Sequence, residues 1–197
     1  MEPFILSAGT LTLDQPTTAD VATITEYCQD PVFERFLTLP SPYARRDAEF
    51  FVHDYVPRGW ESGSEVTWAL RDPDGTFLGV IGVRASRAMV GFWLGAPHRG
   101  RGYMPLAVSA VADWVFESGF AGLSAIRWEA VVGNAASLAV ARKAGFRYTG
   151  VEPAIVVRRD GSRPASWQAV LHATDDRTQK PGWPAPGANE FDGDPVG

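Results

Sequence analysis

The densest chemistry in this 197-residue chain lies between Gly91 and Leu106. The run Gly-Phe-Trp-Leu-Gly-Ala-Pro-His-Arg-Gly-Arg-Gly-Tyr-Met-Pro-Leu passes from strand composition through a short turn into a helix. Gly100 and Gly102 lack Cβ atoms, so the backbone can bend sharply there and let a ligand approach. The amides from about Arg101 to Met104 become the unpaired first-turn donors of the next helix. Pro105 fits because a first-turn position needs no amide hydrogen. With Arg99 and Arg101 flanking Gly100, the turn makes a site for a diphosphate or similar anion. A tight strand–helix connection with solvated arginines is the other reading of the same residues. Two named phosphate motifs are excluded: no lysine stands where a nucleotide-hydrolase loop needs one, and neither Pro105 nor Leu106 supplies the third glycine of a dinucleotide fingerprint.

A second constellation follows about thirty residues later. Gly133-Asn134-Ala135-Ala136-Ser137 opens a short helix that ends Arg142-Lys143-Ala144-Gly145-Phe146. Asn134 is a good N-cap, and Ser137 falls in the first turn. Gly145 can take the left-handed position that closes the helix, and Lys143 has an electrostatic reason to sit near its C-terminus. Glu129 lies on the strand leading to Asn134. Alternation puts it on one face with Arg127 and puts Trp128 on the other, leaving open whether Glu129 meets a cleft or solvent. Glu65, Asp54, His53 and His98 are further ionisable candidates, with His98 read first as a turn residue. The three histidines are far apart and Cys28 is the one cysteine, so the chain predicts no disulfide and no metal site.

These residues need a scaffold, and the pattern along the chain predicts one. A strand at Leu11–Leu13 precedes a helix from Asp20 to about Cys28. A proline-broken loop over 30–43 leads to a helix over Asp47 to about Val56. Strands follow at Val66–Arg71, Thr76–Arg84 and about Ala88–Leu94, the first two joined at the turn signal Asp72-Pro73-Asp74-Gly75. From Gly102 to Ser118 the apolar residues recur at three and four, a helix stripe stopped by Gly119. A strand over Leu123–Val131, the Asn134 helix, and strands over Phe146–Val157 and Ala165–His172 complete the order. The result is an α/β mixed sheet of about seven strands with about four helices packed on it.

Composition narrows the classes. Apolar residues make up 45% and charged residues 21% of the chain, ordinary values for a globular domain. Residues 1–174 read as one domain. Residues 175–197, with four prolines, four glycines and five acidic residues, read as a tail that is either a flexible end or an arm docked through Trp183; Phe191 is its other aromatic. No run reaches the length of a membrane helix, and no secretory signal is visible at the start. A reducing, cytoplasmic compartment is the simplest fit to the cysteine count. The net charge of −5, with scattered arginines, argues against stable nucleic-acid binding.

Taken together, the strand ending Gly-Phe-Trp-Leu, the Arg99-Gly-Arg-Gly102-Tyr-Met turn, Asn134-Ala-Ala-Ser137 and Lys143-Ala-Gly-Phe146 resemble the GCN5-related N-acetyltransferase (GNAT) superfamily. Within it they are most similar to the branch of ribosomal-protein alanine N-acetyltransferases, over roughly residues 10–172. The resemblance implies an acyl-CoA N-acyltransferase fold with a splayed sheet, acetyl-CoA as the cofactor and no metal. It implies a diphosphate site around Arg99, Gly100, Arg101, Gly102, Tyr103 and Met104, and a pantetheine arm laid along Phe92, Trp93 and Leu94. Asn134 would bond that arm, Ser137 would lie near the sulfur, and Lys143 completes the cofactor set. Amides near Leu94 and Gly95 would polarise the thioester carbonyl, Ser137 would serve the departing thiolate, and Glu129 is the candidate base. Phe33, Phe36, Tyr43 and Trp60 would wall the acceptor.

The implied function is acetyl transfer to a primary amine, either a peptide N-terminus or a small molecule, by a monomer or homodimer. The chain departs from the branch where glutamates often stand, at Met89 and Leu106, and carries Met104 where the turn usually ends in a small residue. A longer acyl donor, a hydroxyl acceptor, or a non-catalytic acyl-CoA-binding module are the alternatives these departures raise.

Overall fold

The first five strands form an antiparallel meander: β1 (Leu6–Ala8), β2 (Leu11–Asp14), β3 (Glu65–Arg71), β4 (Phe77–Arg84) and β5 (Met89–Leu94). The computed structural model describes residues 1–185, and Phe191 lies outside the described residues. Three more strands, β6 (Ala125–Val131), β7 (Arg147–Pro153) and β8 (Ala165–His172), complete one sheet of order β1-β2-β3-β4-β5-β6-β8-β7. The sheet thus has eight strands rather than about seven. The added β1 is three residues long, too short to display an alternating pattern, and is held by its hairpin with β2.

The helices are α1 (Val21–Tyr27), α2 (Pro31–Phe36), α3 (Arg45–Phe50), α4 (Val56–Ser62), α5 (Tyr103–Ser118) and α6 (Ala135–Lys143). α2 lies inside the segment expected to be loop. Its start is explained by Asp30, whose carboxylate accepts from Val32 N at 2.9 Å, and by Pro31 at the first helical position, where proline needs no donor. The second predicted helix starts earlier and runs on to Ser62. A π-helical turn at Phe51–Tyr55 joins α3 to α4 and lets Pro57 sit in the first turn of the new segment, where its missing amide costs no bond.

Helices cover both faces of the sheet. One buried cluster joins residues of α4, α5 and α6 to β3–β6 and β8, with Trp60, Trp68 and Trp128 among its largest members. The other joins α1, α2 and α3 to the opposite face through Ile24, Phe33, Tyr43 and Val80. Covered on both sides, β4 is buried at every position but its last, so its sequence reads as a continuous apolar run.

An ion cluster ties α1 to the sheet. Arg71 Nε reaches both Asp14 oxygens at 2.8 and 2.7 Å, and its two terminal nitrogens reach Asp20 at 2.9 and 2.8 Å. Asp20 also accepts from Thr17 N at 2.7 Å and is 4% exposed. It precedes α1 but makes no side-chain cap bond to it, so its carboxylate serves Arg71 and the preceding turn. Burial pushes this carboxyl up, but the bonds from Arg71 and Thr17 outweigh burial and hold it below its ordinary 3.8.

Beyond β8 the chain folds back on the domain. Asp175 accepts from Arg147 Nε at 2.8 Å and from His172 N at 3.0 Å. Arg177 pairs with Asp113 of α5 and lies 5.6 Å over the Phe116 ring. Its backbone passes the end of α6, where Gly145 has φ +87° and an added Cβ would stand 2.9 Å from Arg177 main-chain atoms. Gly145→Ala therefore strains the turn and pushes the arm away. We expect a loss of about 2 kcal/mol, a fall in Tm of roughly 4–8 °C, and faster amide exchange over 175–185.

Candidate active site

The site originates in a topological fault. β5 and β6 are the sheet's one parallel pair, and they meet at a single register pair, Met89↔Arg127, with Arg127 N donating to Ala88 O at 2.6 Å. Beyond that point the strands diverge. Gly95 N donates to Leu78 O at 2.9 Å, so its amide is spent on β4. Strand alternation then turns the backbone groups of Phe92 and Leu94 to the open side. Leu94 O is there to accept from Arg99 Nε at 2.9 Å. Of the two amides expected to face a carbonyl, Leu94 remains free to do so and Gly95 does not.

The gap is a cleft of about 370 Å³. Phe92, Trp93 and Leu94 line one side, and Arg99, Gly100, Gly102, Tyr103 and Met104 close one end. Asn134, Ser137 and Lys143 of α6 line the other side, with Glu129 and Trp128 of β6. Phe33 and Phe36 of α2 form the far wall, together with Val32 and Leu37. Residues from distant parts of the chain are thus brought to one cleft.

Three residues expected at the site do not line it. Arg101 points to solvent at the turn. Trp60 is 1% exposed in the core, its Nε1 donating to Thr67 O at 2.9 Å. Tyr43 is 7% exposed in the second core cluster. Burial of large aromatic area takes both rings inward: Trp60 from α4 and Tyr43 from the segment between α2 and α3.

The turn itself leaves its donors uncommitted. Gly100 and Gly102 have φ +76° and +81°, and nothing lies within 4 Å of a Cβ added at either. Gly102 is the N-cap of α5 and brings no side-chain bond to the helix start. First-turn amides and the positive helix end therefore face an open cradle. Met104 is 2% exposed and packs in the core, so its bulk forms the floor.

Arg99 does more than flank the cradle. Besides Leu94 O, it reaches Asp30 at 2.7 Å through Nη1 and lies 5.0 Å over the Phe33 ring. Asp30 also caps α2, so this pair locks α2 to the end of β5. Burial raises the Asp30 carboxyl, and the Val32 amide and Arg99 more than reverse this. Arg99 Nη2 is buried without a partner among the described residues. A spare cationic donor beside an open amide cradle fits an anionic group. Asp30 was not legible as a site residue, although the Asp-Pro pair that caps α2 is a usable signal.

Across the cleft, Asn134 Oδ1 accepts from Ser137 N at 3.2 Å, capping α6. Trp128 Nε1 donates to Ser137 Oγ at 3.0 Å. Both Glu129 oxygens are engaged, accepting from Ile155 N at 2.7 Å and Val156 N at 2.9 Å. This capture ends β7 at Pro153, short of the predicted Val157, and ties the following segment to β6. His98 lies outside the lining and pairs with Tyr27 OH at 2.8 Å. Burial lowers its imidazole below 6.5, and the Arg101 charge lowers it further. Met89 sits in the core at the branch point and Leu106 is exposed on α5; neither lines the cleft.

Among the described residues, no group of three or more His, Cys, Asp or Glu side chains is placed to hold a metal ion. No helix among them is long and apolar enough to cross a membrane.

Comparison with known proteins agrees with this geometry. Three similar solved structures are the ribosomal α-N-protein acetyltransferase RimL in complex with coenzyme A, RimJ from Mycobacterium smegmatis in complex with a CoA disulfide, and the microcin C7 self-immunity acetyltransferase MccE in complex with acetyl-CoA and AMP. Identities are 17%, 18% and 17%, and TM-scores are 0.73, 0.71 and 0.72. The alignments cover 86%, 87% and 83% of this chain and 98%, 86% and 93% of the respective structures. At these identities the likeness is one of fold. Comparison with curated protein sequences gives no significant match. The profile of the acetyltransferase (GNAT) domain matches residues 10–147, a span that contains the diverging strands, the glycine turn and the whole of α6. With that match over most of its length, the chain belongs to the GNAT acetyltransferase family.

Proposed function

We propose that the chain transfers an acetyl group from acetyl-CoA to a primary amine, with the N-terminal amine of a peptide as the favoured acceptor. The observation that carries this reading is the wedge between β5 and β6, which meet at one residue pair and leave a strand edge open between an uncapped helix start and a serine hydroxyl. The CoA and acetyl-CoA in the similar structures support the donor, and the α-N-protein activity named for RimL supports the acceptor.

The residues fit these roles. The first-turn amides of α5, with Arg99 Nη2, would hold a diphosphate. The open edge at Phe92 and Leu94 would pair with an extended amide-bearing arm, flanked by Asn134, and Lys143 adds a positive charge at the rim. Acetyl-CoA supplies the thioester: the amine nitrogen bonds to the acetyl carbon, the carbon–sulfur bond breaks, and the sulfur ends as a thiol with the proton the amine gives up. The Leu94 amide is the donor for the carbonyl oxygen. Ser137 donates a hydrogen bond as charge builds on sulfur.

Glu129, with both oxygens occupied, acts as the anchor of the segment that follows β7. A peptide amine of ordinary pKa near 8 is already partly neutral and needs no strong base. Because positions 89 and 106 stand outside the lining, the missing glutamates do not favour a non-catalytic module.

Release of free CoA tests the reading, followed against peptides with free or blocked N-termini, small amines and alcohols, and with acetyl-CoA or longer acyl-CoAs. Turnover restricted to free peptide amines and acetyl-CoA is expected. Tight acetyl-CoA binding with no release against any amine would overturn it. Ser137→Ala should lower the single-turnover rate about 30-fold, the worth of one hydrogen bond to a charged atom at roughly 2 kcal/mol, with acetyl-CoA affinity within about two-fold. An unaltered rate removes Ser137 from the chemistry.

A further inference from the structure

The arm beyond β8 ends its described course against the candidate site. Pro181-Gly182-Trp183-Pro184 brings the Trp183 ring 5.8 Å from Trp128 and 5.4 Å from Tyr148, centroid to centroid. Trp183 Nε1 is buried without an acceptor among the described residues, and the contacts its ring makes with them are packing contacts. Trp128 is 2% exposed and spends its own N–H on Ser137 Oγ. An indole N–H can only donate, so the serine hydrogen cannot point back at Trp128. No acceptor for that hydrogen stands among the described residues, and Ser137 lines the cleft. A hydroxyl that accepts one hydrogen bond is also a better donor of its own.

We propose that Trp128 is a positioning residue that aims and polarises the Ser137 hydroxyl toward the departing sulfur, and that Trp183 of the C-terminal arm holds Trp128 in place. The arm is then part of the catalytic support as well as the surface of the domain. This rests on the reading of Ser137 given above. Trp128 acts through its N–H, whereas Trp183 acts through ring packing, and the two roles predict different responses to the same conservative change.

The test is a set of double-mutant cycles in the full chain, reading the single-turnover rate, the KM for acetyl-CoA and Tm. Trp128→Phe keeps an aromatic ring and removes the donor. It should lower the rate about five-fold with KM unchanged, a typical effect for one hydrogen bond. Trp183→Ala should lower the rate about three-fold, and Trp183→Phe should recover most of that loss.

Placed on Ser137→Ala, neither Trp128→Phe nor Trp183→Ala should slow the enzyme more than about 1.5-fold, because the hydroxyl they serve is gone. Equal losses with and without the hydroxyl would show a purely structural role and overturn the proposal while leaving Ser137 in place. A full-speed Ser137→Ala enzyme would overturn the reading beneath it as well. Should Trp128→Phe not fold, the Trp183 pair carries the same comparison.

Discussion

Gly102→Val raises the Kd for acetyl-CoA about 100-fold in a chain that still folds. Gly102 has φ +81° with open space around the missing Cβ, and it is the residue from which α5 begins. A β-branched side chain is strained at that φ and puts two methyl groups into the space where the first-turn amides are reached. Two amide bonds to a charged phosphate at about 1.5 kcal/mol each give that hundredfold. The effect is local, because no neighbour lies within 4 Å of the added Cβ. Isothermal titration with acetyl-CoA, alongside circular dichroism, checks it. An unchanged Kd in a folded variant would remove the diphosphate from this turn.

Arg71→Met should destabilise the domain by about 3 kcal/mol at neutral pH, since it leaves the Asp20 carboxylate buried without its cation. The sign of the pH dependence follows from the direction of the Asp20 shift. In the native protein Arg71 and Thr17 hold that carboxyl below 3.8 against burial, so its contribution is complete above about pH 4 and is lost as the pH falls through the lowered value. In the variant only the Thr17 bonds are left to oppose burial, so the carboxyl moves up from its native position and less stability is lost on acidification. The Tm gap between the two proteins is therefore widest near neutrality and narrows on acidification. A gap that is small, or flat with pH, would mean that the cluster carries little of the attachment of α1 to the sheet.

The legible parts of this protein are those whose cause is local. Gly100, Gly102 and Gly145 take the left-handed conformations that their turns require, Asn134 caps α6, and Gly119 ends α5. Each of these depends on a few adjacent residues. The misread segments involve prolines and short elements. Pro31 has the composition of a breaker in sequence yet starts α2, and Pro57 sits in a helix that a π turn prolongs. β1 is too brief to carry a period.

The linear chain determined the glycine turn, the Asn134–Ser137 cap and the alternation of strand and helix, because backbone freedom, capping and periodicity act within a few residues. Tertiary structure alone decided that β5 and β6 part after one residue pair, which opens the cleft. It also decided that Arg99 turns to Asp30, that Glu129 holds the amides of Ile155 and Val156, and that Trp60 and Tyr43 go to the core. Those outcomes join groups from separate elements. A charge or an aromatic ring finds its partner by the geometry of packing, and sequence neighbours carry no record of it.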